Sequence, residues 1–281
     1  MRVAGIVVTF NRLDLLKINL NALLHQSKAL VEVLVVDNHS DNSVEEALSL
    51  EKKLFFNRGI SFNVVRLSSN TGGAGGFEYG LSQYIDRDHI DAVWLMDDDG
   101  KPSITCLQTL CESYCSKIDP ILHPNLFFEG KSHFAKYFDK VNRDVASFKG
   151  GPFNGTFISI SNLREVGLPI ARFFIWGDEV EYTNRIRSKG IPMLVVKKSK
   201  YEHKTTEINY RTNTRAFYLF RNQVWTIKLF MPVFESRLKY SLSVCIFLCR
   251  ELLRFLVNLN LHAVLQSLRG LAIGILTRPN V

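Results

Sequence analysis

Residues 92–100 read Ala-Val-Trp-Leu-Met-Asp-Asp-Asp-Gly, five apolar residues running straight into three carboxylates and a glycine. A short continuous apolar run closed by a turn signal predicts a buried strand over residues 92–96. Adjacent carboxylates beside a buried segment repel one another unless something positive neutralises them. Side chains alternate across a strand, so Asp97 and Asp99 share one side while Asp98 faces away. Two converging carboxylates suit Mg2+ or Mn2+, whose preferred ligands are hard oxygens. A solvated Asp-Gly turn would explain the same letters, but Trp94, Leu95 and Met96 carry apolar sequence up to the edge of the cluster.

Working outward, the same unit recurs upstream. Apolar, β-branched runs predict strands at Val3–Thr9, 31–36 and 62–67. Helical spacing predicts helices at Leu13–Leu24, 44–56 and 77–84, the last preceded by a flexible glycine-rich turn at 72–76. Strands alternating with helices in short units predict an α/β fold with a parallel sheet covered on both faces. In such sheets ligands bind outside the carboxyl ends of the strands. Three polar clusters fall there: Thr9, Asn11 and Arg12; Asp37 and Asn38; and Asp97–Asp99. Downstream, a helix is expected at 104–114, irregular chain to about Gly151, a strand at 157–160, a helix at 180–189 and a strand at 193–196. From Thr214 to Leu276 the chain reads as helical and apolar.

The ordered set VVTFNR, VLVVDNHSDN, NTGGAGGFEYG, WLMDDDG and FIWGDEVEY resembles the inverting glycosyltransferases of family 2, and spans about residues 3–205. The resemblance implies a GT-A fold: a Rossmann-like, mostly parallel sheet with a helical C-terminal extension, divided as a catalytic domain over 1–210 and a helical region over 211–281. It implies that Asp97–Asp99 hold a divalent cation, Mn2+ or Mg2+, and the donor diphosphate, and that Asp37 binds the nucleoside with help from Thr9, Asn11 and Arg12. The turn carrying Asn70, Gly72 and Gly73 would approach the nucleotide-sugar closely, glycine permitting backbone contact. Asp178 takes the place of the catalytic base. Glu179 would bind acceptor hydroxyls or raise the base's pKa by like-charge repulsion. Asp178 with Glu181 three residues later also fits a helix-capping pair. His203 would complete the metal site, and Trp176 with Phe153 and Asn154 would wall the sugar. Within the family, NTGGAGGFEYG and WLMDDDG resemble galactofuranosyltransferases and rhamnosyltransferases. The implied donor is UDP-galactofuranose, or dTDP-rhamnose in second place, with a growing, lipid-linked glycan as acceptor.

Composition limits the other classes. The 281 residues are 46% hydrophobic, which supports a large core and excludes wholesale disorder. The net charge of +8 is uneven, with 14 Lys/Arg against four Glu and no Asp from Lys197 onward. Aromatic–basic interleaving of a nucleic-acid module is missing, so no nucleic acid is expected. A surface of anionic lipids fits the mixture of basic and apolar residues. Cys106, Cys111, Cys115, Cys245 and Cys249 lack the pairs or nearby histidines of a zinc site and are expected as buried small hydrophobes. The chain opens directly on a strand-like run, which predicts a cytoplasmic protein or one peripheral on the cytoplasmic face of the inner membrane. Charges at Arg250, Glu251 and Arg254 argue against a spanning helix. Gly270 and Gly274 favour close helix packing, pointing to homo-oligomers through helices that lie on a membrane or partner, or else pack on the sheet. Tyr218, Arg221 and Asn222 form a Y-x-x-R-N element whose arginine could reach a phosphate. A sugar-phosphate nucleotidyltransferase would need a glycine-rich phosphate loop and lysine after the first strand, and Thr9-Phe10-Asn11-Arg12 has neither. A non-catalytic nucleotide-sugar-binding module would have no use for Asp178.

Overall fold

Every residue of β1 (Val3–Thr9) is buried, and the strand is the hub on which the rest is laid. The computed structural model describes residues 1–139, 143–203, 213–230 and 237–279. After β1, α1 (Leu13–Leu24) turns Leu16, Leu20 and Leu23 onto the sheet, the i, i+4, i+7 spacing of one helix face. β2 (Glu32–Asp37) pairs parallel to β1 and brings Asp37 opposite Thr9. The helix expected over 44–56 is two, α2 (Val44–Ala47) and α3 (Ser49–Asn57), because the buried Leu48 leaves helical geometry between them. β3 (Ser61–Arg66) extends the parallel sheet beyond β2.

The glycine-rich stretch is helical, not a flexible turn: α4 (Gly72–Ser82) begins at the first of its glycines. The glycines act by being small. A Cβ on Gly76 would lie 2.5 Å from Val8 Cγ1, and one on Gly80 would lie 2.6 Å from Ile6 Cγ2. The helix therefore rides against β1 at a distance no side chain would permit. β4 (Ala92–Asp97) pairs parallel to β1 with Asp97 opposite Val8, so the polar ends of β1, β2 and β4 are level.

The second half departs from a purely parallel sheet. β5 (Gly100–Pro102), α5 (Cys106–Ser113), β6 (Ile121–Phe128), β7 (Lys131–Ser132), α6 (Ala135–Asp139), β8 (Val145–Ser147), β9 (Phe157–Ser159), α7 (Ile160–Val166), α8 (Asp178–Ser188) and β10 (Met193–His203) follow in order. The sheet runs β3-β2-β1-β4-β9-β6-β10-β5, with β9 antiparallel to both β4 and β6. β6 occupies part of the stretch expected to be irregular. Pro124 hid it, since proline counts against a strand, but here the proline stands where the register between β6 and β10 breaks. β10 continues past residue 196 to His203, which sits on the strand rather than after it.

The expected domain boundary at 210/211 lies outside the described residues. Beyond it, α9 (Asn213–Phe230), α10 (Arg237–Val257) and α11 (Leu261–Leu276) form a helical layer. Gly270 and Gly274 serve contacts within the chain, not between copies. A Cβ on Gly274 would lie 2.9 Å from Val224 Cβ on α9, and one on Gly270 would strike the Phe217 carbonyl. Lys228 Nζ on α9 donates to the carbonyls of Gly274, Ile275 and Thr277, closing the end of α11. Among the described residues no helix is long and apolar enough to cross a membrane. The cysteines are free; Cys106 is buried as expected, but Cys115, Cys245 and Cys249 are exposed.

Gly76→Ala and Gly80→Ala should each lower stability by about 1–3 kcal/mol through overpacking. Gly73→Ala, where nothing lies within 4 Å, should be neutral or stabilising by up to about 1 kcal/mol. Urea unfolding separates them, and equal effects at all three positions would refute the close β1–α4 contact.

Candidate active site

The three aspartates after β4 have three different settings. Asp98 is fully buried and fastened back to the β1 loop. Thr9 Oγ1 donates to its Oδ2 at 2.7 Å, and Arg12 reaches it from Nη2 at 2.6 Å and Nε at 3.2 Å. Burial pushes its pKa up to about 6 against the opposing pull of Arg12 and Thr9. Asp99 Oδ2 accepts from Arg12 Nη1 at 2.8 Å, while Oδ1 lies 3.3 Å from His203 Nε2. Asp97 is raised well above the usual carboxylate range, first by desolvation and then by the charges of Asp99, Glu179 and Asp98.

Ligand atoms of Asp97, Asp99 and His203 all lie within 4.8 Å of one another. Asp98 is outside this group; the strand ends at Asp97, and the turn that follows hands Asp98 to Thr9 and Arg12, so the strand alternation expected from the sequence does not reach it. The donor set fits a divalent cation on three counts. Two hard carboxylates and an imidazole are ordinary ligands for Mn2+. Desolvation lowers the pKa of His203, favouring the neutral form that can ligate. Its Nδ1 is buried without a hydrogen-bond partner. One guanidinium, Arg12, stands against three aspartates, so the cluster keeps excess negative charge.

Asn154 and Phe153 do not form a sugar-facing wall. Asn154 is completely buried and organises the aspartates: its Oδ1 accepts from the Asp97 N–H at 3.2 Å and from Tyr201 Oη, and its Nδ2 donates to Asp99 at 3.4 Å. The Phe153 ring is core, packed on Phe77 and Tyr182. Its backbone N–H donates to Glu179 Oε1 at 3.1 Å. Tyr201 and Asn154 thus carry order from β10 to the end of β4, a role that depends on contacts between distant segments of the chain.

At the neighbouring strand end Asp37 is buried, accepting from Ser40 N–H at 2.9 Å with Arg66 3.7 Å away. Asn11, at φ 55°, spends its amide on Asp41 in both directions, clamping the β1 and β2 loops together. Asn38 does the same for the start of α4. Its Oδ1 accepts from Thr71 N–H and Oγ1, and its Nδ2 donates to the Gly72 carbonyl and to Asn70. Asn70 accepts from the Gly72 N–H at 2.9 Å. Gly73 faces open space beside this clamp.

Asp178 and Glu179 open α8. Gly177, at φ 102°, is the N-cap, so Asp178 and Glu181 form no capping box; Glu181 instead holds Arg185 in two hydrogen bonds. Burial raises Asp178 to about 6, against the backbone N–H groups at 178 and 179. Desolvation, with the charge of Asp178, raises Glu179 to about 8. The loop before them is strained, with Phe174 at φ 65° and Trp176 at φ 60°. α9 holds it in place. Asn222 Nδ2 donates to the carbonyls of Phe173, Ile175 and Trp176 at 2.6–2.9 Å, and Arg221 Nη2 to those of Arg172 and Phe173. Tyr218 stacks on Phe174 at 4.5 Å, and Arg215 lies over the Trp176 ring at 5.6 Å. Arg221 is therefore a loop anchor, not a phosphate ligand.

The level strand ends thus carry a carboxylate–imidazole cluster, and Glu179 of the second acidic pair is near enough for its charge to raise Asp97. The model of the family "Glycosyl transferase family 2" matches residues 6–132, which hold β1 through Asp99. Residues 6–132 are similar to a family 2 glycosyltransferase domain. The galactofuranosyltransferase GlfT1 of Mycolicibacterium smegmatis is 28% identical over 223 residues, covering 72% of this chain and 70% of its own. The GT-A fold is shared with Staphylococcus aureus TarS 1-349 in complex with UDP-GlcNAc, at TM-score 0.70 and 14% identity over 98% of this chain and 81% of that one. The mannosyltransferase PcManGT of Pyrobaculum calidifontis, in complex with GDP-Man and Mn2+, matches at TM-score 0.64 and 16% identity, covering 98% and 75%. The chain spans 40% of a longer TarS chain.

Asn222→Ala leaves three loop carbonyls without their donor and should cost about 1–3 kcal/mol together with a fall in kcat. Lys52→Ala, at an exposed position on α3, should leave kcat near wild type. Steady-state rates beside denaturation curves check both. The raised acids also set a pH dependence. Groups raised in the folded state favour folding below their unfolded pKa and lose that contribution as pH climbs through the folded value. The metal-free protein should therefore melt at falling temperature from about pH 4.5 toward pH 8, the span set by Asp98, Asp178 and Glu179. A flat profile in calorimetry would contradict it.

Proposed function

We propose that the chain transfers a hexosyl group, with inversion, from a nucleoside-diphosphate sugar to a glycan acceptor. The observation that carries this reading is the Asp97–Asp99–His203 cluster with Glu179 of the second acidic pair close enough to raise Asp97. A cation held by Asp97, Asp99 and His203 would supply positive charge against the donor diphosphate. Asp37, buried at the end of β2, is the residue that the sequence resemblance gives to the nucleoside. Thr9, Arg12 and Asp98 act from behind: Arg12 fixes two of the aspartates, and it becomes available to the diphosphate when those charges are otherwise compensated.

Inversion needs one carboxylate to accept the acceptor hydroxyl's proton as its oxygen attacks the anomeric carbon opposite the leaving diphosphate. Asp178 and Glu179 are the candidates. Asp178 is the choice the sequence motif favours. Two observations support Glu179 beside it: its charge reaches Asp97, and Phe153 N–H orients its carboxylate. With a pKa near 8, Glu179 would be half-deprotonated under mildly alkaline conditions, where a base of that strength works well. Likeness to a galactofuranosyltransferase supports galactofuranose as the transferred sugar; UDP-galactofuranose is the donor proposed with it, and a growing, lipid-linked glycan the acceptor. dTDP-rhamnose is the competing donor.

The chain incubated with each donor, Mn2+ and a glycan acceptor should release UDP from UDP-galactofuranose and form a product of inverted anomeric configuration by NMR. Turnover with dTDP-rhamnose alone would move the donor assignment. The proton acceptor should lose about 10²–10⁴ in kcat on conversion to its amide, Glu179→Gln or Asp178→Asn, with UDP affinity kept. Full activity in both variants would remove the acidic pair from the mechanism. If Glu179 is the base, kcat/KM rises with pH through about 8, because only the deprotonated carboxylate accepts a proton.

A further inference from the structure

α10 and α11 each bury one face and leave the opposite one bare. On α10 the buried residues are Val244, Leu248 and Phe255, in a cluster shared with Ala216 and Phe220 of α9. On α11 they are Ala263, Ser267, Gly270 and Gly274, the two glycines meeting α9. Opposite these lie exposed apolar side chains at helical spacing: Leu242, Ile246, Leu253 and Leu256 on α10, and Leu261, Leu265, Leu268 and Ile275 on α11. Nothing among the described residues covers them. A water-soluble surface rarely keeps so large an apolar stripe without an occupant.

Charge identifies the occupant. Residues 237–279 hold six Arg/Lys and one acid, Glu251. Lys239, Arg250 and Arg254 follow one flank of the α10 stripe and Arg269 the same flank of α11. Glu251 lies 3.6 Å from Arg250 and 3.8 Å from Arg254 and offsets one of these charges, so the flank keeps a net positive charge. A second copy of the chain would bring like charges together across a twofold, whereas interface cores between proteins are depleted of charge. Apolar stripes edged by arginine match the interface of a bilayer with anionic headgroups. We propose that α10 and α11 lie in the plane of an anionic membrane surface, leucines in the acyl boundary and arginines on the headgroups. Neither helix spans. The same face holds whichever sugar is transferred. Because α9 joins this layer to the loop before Asp178, docking would present the cleft at a fixed height above the lipid.

The test uses the full chain and sedimentation with vesicles of equal phosphatidylglycerol and phosphatidylcholine, compared with phosphatidylcholine alone. Binding should require the anionic lipid and weaken with salt. Arg250→Gln with Arg254→Gln should reduce partitioning about thirty-fold, and Leu253→Ser with Leu265→Ser by a comparable factor. UDP binding should be unchanged in both variants, showing that the domain is intact. Equal binding to neutral vesicles, or retention by both variants, would overturn the proposal. So would a dimer in light scattering that the leucine changes dissolve while wild type ignores vesicles.

Discussion

Mutual repulsion among Asp97, Asp98, Asp99 and Glu179 is the constraint around which the cleft is arranged. Each carboxylate is partly or wholly removed from water, where a neighbouring like charge costs far more than it would in solvent. The fold meets this load in three ways. Arg12 neutralises Asp98 and Asp99 directly. Thr9 and Asn154 give the oxygens and the Asp97 N–H fixed partners. What is left appears as raised pKa values at Asp97, Asp98 and Glu179, caused first by desolvation and then by neighbouring like charge. A site left in that condition is poised for a cation and a diphosphate, whose opposite charges suit one another and the cleft.

The architecture places this load at the one edge where it can be reached. β1, β2 and β4 run parallel in matched register, so their polar ends arrive together. α4 can close over β1 only because Gly76 and Gly80 present no side chain to Val8 and Ile6. The same helix start meets the Phe174 carbonyl, with Ala74 N–H donating to it at 3.1 Å. α4 therefore links the donor side of the cleft to the strained loop that delivers Asp178 and Glu179. From the other side, Asn222 of α9 holds three carbonyls of that loop. The C-terminal helices are in this way part of the active-site scaffold, whatever their outer faces touch.

Much of this was legible in the sequence, for a physical reason. Buried parallel strands must be continuously apolar, so Val3–Thr9 and the run into Asp97 announce both the strand and its polar end. What stayed hidden involves residues acting at long range. Pro124 and Asn125 disguised β6, because a bulge tolerates what a regular strand does not. Glycine-rich sequence reads as a turn until packing against β1 gives the missing side chains a purpose. Asn154 and Asn222 both stood out in the sequence, but their roles did not, because their partners lie about fifty residues away in the chain. Gly270 and Gly274 did signal close packing, but spacing alone does not say whether the neighbour is another copy or another helix of the same chain.

The central claim is that Asp97, Asp99 and His203 together hold a divalent cation that the donor diphosphate requires. Isothermal titration of UDP into the protein with Mn2+, and again with EDTA, tests it most directly. Saturable binding is expected only when the metal is present, with loss of that binding in Asp99→Asn. Equal affinity for UDP in EDTA would contradict it.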